Sequence, residues 1–327
     1  MSLARTIVLK TSGLAPVKSL VRKSFLFRPL VRRFIAGDTL EEALAATEPL
    51  LAKGLKVSLD YLGENTASEQ EALDAKATYI RMLDTISNVP LVQKWNSKHS
   101  HAENLHRSGD GIEPLNISIK LTQCGLDQGI EFAEKNLRDV LQAASQRSNF
   151  VRVDMEASEY TERTMDMIER VFQDYKNTGT VLQTYLYRTP EDVERVIQWG
   201  ARVRLVKGAY LEPATVAFPE KSKVDDAYIT LGKRLLDAGT YPAFASQDEK
   251  IIRILCDYAK EKNIDKTKFE FQMLYGIRRD LQDSLHAEGY NVRVYVPFGD
   301  AWYPYFTRRL AERPANTLFI VKSLFKG

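Results

Sequence analysis

Apolar and polar positions along this chain switch repeatedly between two periods. Short runs with strand character precede longer stretches whose apolar residues recur at helical spacing. Thr39-Leu-Glu-Glu42 is a capping box, and residues 40–55 then read as a helix closed near Gly54. Val57-Ser-Leu-Asp-Tyr-Leu reads as a strand and residues 68–86 as a long helix. The same unit recurs as 117–121 before a helix at 128–145, and as 150–155 before 162–175. Residues 180–186 precede 190–199, where Pro190 suits a first helical turn. Residues 202–207 precede 225–238, 241–245 precede 249–262, and 269–274 precede 278–286. A last run, 292–296, ends in a Pro-Phe-Gly turn, and a final helix starts near Asp300.

Repeated strand–helix alternation, with no Pro/Gly/Ser-rich linker or low-complexity tract, implies a parallel sheet with right-handed crossovers. Eight such pairs in about 270 residues fit a closed (βα)8 barrel of the TIM type, an α/β fold. A doubly wound open sheet is the alternative. No strand is followed by a GxGxxG turn, and Gly109-Asp-Gly111 lies in a polar loop running into Pro114. The expected organisation is an arm over residues 1–37 and one catalytic barrel over 38–327 that includes the last helix.

Composition narrows the class without changing it. At 44% hydrophobic and 27% charged, the 327 residues suit a globular enzyme with a large core. The longest apolar stretches are too short to span a bilayer. Cys124 and Cys256 form neither a disulfide framework nor a CxxC motif, so a reducing compartment is expected. Net charge is +3, yet residues 1–37 carry Arg5, Lys10, Lys18, Arg22, Lys23, Arg28, Arg32 and Arg33 with no acid, leaving −5 elsewhere. Residues 19–35 interleave these with Leu, Val, Phe and Ile. Three readings of the arm stay open: a helix packed on the domain, an amphipathic segment on an anionic membrane surface, or an arginine-rich transit peptide. Pro29 argues against one continuous helix there.

Polar residues concentrate at the C-terminal ends of the strands, where barrel enzymes carry their chemistry. Lys120 stands on the second, Asp154 and Glu156 on the third, and Gln183 and Tyr185 on the fourth. Arg204 and Lys207 follow on the fifth, Ser246, Gln247 and Asp248 on the sixth, Gln272 on the seventh, and Tyr295 on the eighth. Each has a structural alternative. Lys120 and Asp154 can be an ion pair across neighbouring strands; Arg202 and Arg204 can both point outward to surface acids. Seven strands polar at one end instead suggest an active-site mouth, because charges are rarely buried without partners.

The final helix adds Tyr305, Arg308, Arg309 and Glu312 at i,i+3 and i,i+4 spacings, which puts both guanidinium groups beside the tyrosine. A planar fork of donors suits a carboxylate or phosphate. The bland alternative is a solvated helix whose arginines pair with Glu312. His99-Ser-His101 and His106 lie in a polar stretch without strand character, and no metal is expected.

Five strings in one order carry a resemblance: Ser118-Ile-Lys-Leu-Thr, Arg152-Val-Asp-Met-Glu, Val181-Leu-Gln-Thr-Tyr-Leu, Val203-Arg-Leu-Val-Lys-Gly-Ala-Tyr, and Tyr295-Val-Pro-Phe-Gly with Tyr305-Phe-Thr-Arg-Arg-Leu-Ala-Glu. From about Phe34 onward the chain resembles the monofunctional bacterial proline dehydrogenases, flavoenzymes with a distorted (βα)8 barrel. No aldehyde-dehydrogenase portion follows, so the resemblance is to the single-activity form. It implies FAD-dependent oxidation of L-proline to Δ1-pyrroline-5-carboxylate, with hydride leaving C5 for the flavin N5 and electrons passing to a membrane quinone. A cytoplasmic location, peripheral contact with the inner face of the membrane and association with pyrroline-5-carboxylate dehydrogenase are expected, and no nucleic-acid partner.

By the same resemblance, Asp154 and Arg204 match active-site positions, Arg204 lying near the flavin. Arg308, Arg309 and Lys120 match contacts to the substrate carboxylate, and Glu312 a partner orienting the arginines. Tyr210, Leu274, Tyr295 and Tyr305 match walls around the proline ring. Met155, Gln183, Lys207, Gly208 and Ala209 match flavin contacts. Ser246-Gln247 replaces a Thr-His pair common in the family, which removes a potential cation beside the flavin. A Schiff-base aldolase using Lys120 or Lys207, and a non-catalytic anion-binding barrel, are the rival readings.

Overall fold

The computed structural model describes residues 28–98 and 112–312, with side chains for 31–98 and 112–308. Eight parallel strands close in chain order: β1 (Lys56–Tyr61), β2 (Leu115–Lys120), β3 (Val151–Asp154), β4 (Thr178–Gln183), β5 (Arg202–Val206), β6 (Thr240–Ala245), β7 (Glu270–Leu274) and β8 (Asn291–Phe298). β8 pairs with β1 from Lys56↔Arg293 to Tyr61↔Phe298, which closes the barrel and removes the open-sheet alternative. Helices α1 (Arg28–Phe34) and α2 (Leu40–Ala52) precede β1, with α3 (Glu69–Ser87) and α4 (Pro90–Lys98) after it. The outer ring continues with α5 (Ile130–Gln146), α6 (Ser158–Asp174), α7 (Thr189–Trp199), α8 (Lys221–Ala238), α9 (Glu249–Glu261) and α10 (Arg279–Ala287); α11 (Tyr303–Glu312) follows β8.

Local signals explain most of these boundaries. The Thr39 hydroxyl accepts from Glu42 N and the Glu42 carboxylate from Asp38 N, starting α2. Gly200 ends α7 in the left-handed region. Two differences from expectation have physical causes. Helix α6 begins at Ser158 rather than near 162, because Glu212, from the loop after β5, accepts from the Ser158 backbone and hydroxyl. That acceptor lies 54 residues away, beyond any local capping signal. Strand β8 runs through Pro297 to Phe298, since its pairing with β7 already ends at Leu274↔Tyr295 and no N–H is required on that side. Helix α4 was not anticipated.

The apolar core lies between strands and helices, while the barrel interior is polar. Arg202 and Arg204 both point inward, which corrects the outward reading: with period two, one interior arginine carries the other with it. Near the N-terminal ends of the strands, Arg202 donates to both Glu113 oxygens at 3.0 Å. Arg293 reaches Glu113 at 3.4 Å and Glu270 at 2.9 Å. Burial opposes ionisation of Glu113, but the two arginines outweigh it and hold the carboxyl down at about 2.

Helix α1 shows how the described end of the arm is held. Pro29 falls in its first turn, where a missing N–H costs nothing. Val31, Phe34 and Ile35 are buried in a cluster with Leu62, Ile277, Trp302 and Phe306. Gly276 passes so close that a Cβ there would lie 1.8 Å from the Arg33 carbonyl oxygen. The other basic positions expected in the arm, from Arg5 to Lys23, and the histidines at 99, 101 and 106, lie outside the described residues, as does the Arg28 side chain.

Candidate active site at the barrel mouth

Strand ends β1, β2, β3, β5, β7 and β8 bring one buried network together. Lys120 Nζ lies 2.8 Å from Asp60 Oδ1 and 3.7 Å from Asp154 Oδ2. Asp154 accepts from Arg204 Nη1 at 2.5 Å and from the Tyr295 hydroxyl at 2.7 Å. The remaining Arg204 nitrogens donate to Gln272 Oε1 at 2.5 Å and Ser118 Oγ at 3.1 Å. The Arg204 guanidinium also stands 5.1 Å from the centre of the Tyr295 ring. Burial disfavours the Lys120 ammonium, but Asp60, Asp154 and Glu64 outweigh it and raise its pKa above the ordinary lysine value. Lys120 is therefore a cation at any physiological pH.

Above this network stands α11. It is turned inward: Tyr305 and Phe306 are buried, in a cluster flanked by Leu274 and Tyr295. Arg308 grips Glu64, in the loop after β1, through a two-pronged fork at 3.0 and 2.5 Å. Burial opposes the Glu64 carboxylate, yet Arg308 holds its pKa below the usual range. The Arg308 guanidinium lies 5.5 Å from the centre of the Tyr210 ring. Beside the fork opens a cavity of about 350 Å³, lined by Leu62, Glu64, Tyr303, Tyr305 and Arg308 among others. The side chains of Arg309 and Glu312 lie outside the described residues.

The residues expected around a flavin stand at the ends of β3 to β6. Met155 is buried. The Gln183 amide donates to the Glu156 carbonyl at 2.8 Å. Lys207 sits between Asp225 at 2.6 Å and Asp248 at 3.0 Å. Gly208 holds a φ of +112°, and a Cβ there would meet the Tyr185 ring at 2.5 Å, so glycine is required. Ala209 and Gln247 are half-buried, and the Ser246 hydroxyl accepts from Asp248 N at 3.1 Å.

Three members of the site, and one acid of the floor beneath it, escape the sequence reading. Asp60 and Glu64 flank the end of β1, which read only as a strand, and one Asp60 oxygen is buried without a hydrogen-bond partner. Ser118 and Glu270 share interior parity with Lys120 and Gln272, and that alternation was the available signal. Glu156 stands at the end of the third strand with no role implied by its position in the sequence. It accepts from the Thr122 backbone at 3.1 Å and hydroxyl at 2.6 Å, and burial still pushes its carboxyl up to about 7.

Comparison with known proteins adds an independent finding. A family profile described as Proline dehydrogenase matches residues 43–322. Proline dehydrogenase 1 of Bacillus subtilis (strain 168) is 40% identical over 304 residues, covering 93% of each chain. Proline dehydrogenase of Deinococcus radiodurans is 37% identical over 330 residues, covering 99% of each. Among solved structures, proline utilization A (PutA) from Bdellovibrio bacteriovorus inactivated by N-propargylglycine superposes with a TM-score of 0.78 at 26% identity. That likeness covers 94% of this chain and 36% of the PutA chain.

Proposed function

The chain belongs to the proline dehydrogenase family, and we propose that its mouth oxidises L-proline to Δ1-pyrroline-5-carboxylate with FAD as the resident cofactor. The donor set fits such a group: the cations Arg204 and Lys207, the amides of Gln183 and Gln247 and the Ser246 hydroxyl suit an acceptor-rich ring and a diphosphate. When bound, the flavin supplies the two-electron acceptor for hydride leaving proline C5.

The chain's own residues bind, orient and charge the pocket. The Arg308–Glu64 fork carries the reading, because it is a carboxylate already held in an aromatic pocket above buried cations. A substrate carboxylate takes the place of Glu64 on Arg308; Arg309 is assigned as a second donor, with Glu312 orienting both, and Lys120 as a third. Tyr210, Leu274, Tyr295 and Tyr305 form the walls that fix which ring carbon is presented. Such positioning lowers a barrier by several kcal/mol, on the order of seven in favourable cases. Asp154 accepts from Arg204 and stands 3.7 Å from Lys120, and so positions cations rather than removing a proton. The substrate amine must be uncharged to release hydride, so turnover is expected to rise with pH.

The Schiff-base rival meets a physical objection at Lys120. A nucleophilic lysine needs a depressed pKa, whereas Asp60 and Asp154 raise that of Lys120. Electron transfer to a membrane quinone, a cytoplasmic place at the inner face of the membrane and product transfer to a pyrroline-5-carboxylate dehydrogenase complete the proposal; these rest on the family resemblance. No helix of the described residues is long and apolar enough to cross a membrane. The test is an absorbance spectrum of the purified protein before and after anaerobic L-proline. A yellow protein bleached by proline is expected; a colourless protein trapped by borohydride with a carbonyl substrate would overturn the reading.

A further inference from the structure

Among the described residues of the mouth, Arg204 is the one arginine tied at all three nitrogens, and its ties differ in kind. Asp154, on Nη1, is a carboxylate shared with Tyr295 and Lys120. Ser118, on Nη2, is a hydroxyl that also meets Ser58 at 3.1 Å. Gln272, on Nε, is a neutral amide at 2.5 Å, and its own orientation is dictated from below.

Gln272 Nε2 donates to Glu270 Oε1, two residues earlier on the same face of β7. Glu270 can only accept: burial opposes its charge, but Arg293 outweighs it and lowers its pKa. It is fixed in turn by Arg293 Nε at 2.9 Å and the Tyr241 hydroxyl at 3.1 Å. With the amide nitrogen committed to Glu270, the amide oxygen must face Arg204. The floor of the barrel thus sets the direction of an acceptor at its mouth.

We propose that Gln272 is a positioning residue: it passes the fixed orientation of Glu270 to Arg204 through a neutral acceptor, setting the tilt of the guanidinium without cancelling its charge. A carboxylate there would offset Arg204 a second time; an apolar side chain would leave Nε unmatched and the guanidinium free to turn toward Asp154. The inference rests on the reading above, in which Arg204 supplies the positive field beside the flavin.

Gln272→Met and Gln272→Glu test it in the flavin-loaded protein. Losing one hydrogen bond to a charged group is worth about tenfold, so Gln272→Met should lower kcat about tenfold while KM stays within about twofold, since Arg204 does not hold the carboxylate. The reduction potential of the bound flavin should fall by about 30 mV, which is that tenfold for a two-electron couple. In Gln272→Glu the new carboxyl must keep a proton to donate to Glu270, and in that form it presents Arg204 with a carbonyl oxygen as the amide does. Facing it are Glu270 on β7 and Arg204 on β5; Arg293 on β8, Tyr241 on β6 and Arg202 on β5 act on Glu270, and Asp154 on β3 on Arg204. Potential and kcat should therefore match wild type in acid and drop as the carboxyl ionises, a step absent from wild type.

Wild-type kcat and potential in Gln272→Met would overturn the assignment. Should that variant not fold, a Gln272→Glu pH profile parallel to wild type overturns it equally. A wild-type protein that binds no flavin overturns the functional reading and this inference with it; one bleached by proline beside an unaltered Gln272→Met overturns this inference alone.

Discussion

The floor and the mouth of this barrel use the same residue types to opposite ends. In the floor, Arg202, Arg293, Glu113 and Glu270 have side chains 1–6% exposed and are joined across rigid strands. At the mouth, Arg308 and Glu64 are 17% and 15% exposed and join a helix to a loop beside an open cavity. Coulombic attraction is strong in both places; access differs. A pair sealed on all sides holds structure, whereas a pair with a cavity at its flank can exchange one member for a ligand of the same charge. Position in the barrel, not the identity of the residues, separates scaffold from site.

The largest expected effect breaks the floor. Glu113→Gln leaves Arg202 and Arg293 under-compensated in a fully buried place, and loss of one partner there costs about 3–5 kcal/mol. Calorimetry should show a large fall in Tm with KM for proline nearly unchanged. Arg308→Met breaks the mouth instead. A two-pronged charge-assisted contact to the carboxylate is worth roughly 3 kcal/mol, so KM should rise about a hundredfold while bound flavin is retained. An equal loss of stability in both variants, or wild-type KM in Arg308→Met, would erase the distinction.

A smaller effect sharpens it. Glu156 belongs to the mouth, and its carboxyl is pushed up to about 7 from an ordinary 4.5. The folded state then holds a proton that the unfolded chain has released, so this group's contribution is fully present below about pH 4.5 and is lost as pH rises through 7. Glu156→Gln keeps the shape without the titration. Relative to wild type, its unfolding free energy should gain by about 3 kcal/mol at pH 8, a gain that shrinks toward pH 5. Glu113 has the opposite sign: its contribution is present above 4.5 and fades only as pH falls toward 2.

The barrel was legible because eight alternations of period are hard to produce otherwise, and the mouth because polar residues recurred at one end of the strands. What escaped was set by distance in the chain. Among the described residues, Arg308 pairs with Glu64, 244 residues earlier, and no local spacing announces it. The start of α6 hangs on Glu212 for the same reason. Arg202 was ambiguous only while taken alone. Once Arg204 is placed in the interior, the two-residue period carries Arg202 inside, and the need for buried acids leads to Glu113 and Glu270.

The exchange at the mouth is tested most directly by a structure with a saturated five-membered-ring carboxylate bound, one that lacks an oxidisable amine. The ligand carboxylate should occupy the fork of Arg308 in place of Glu64, with the Arg202–Glu113 contacts still at 3.0 Å. A ligand seated elsewhere, with Arg308 still gripping Glu64, would contradict the account.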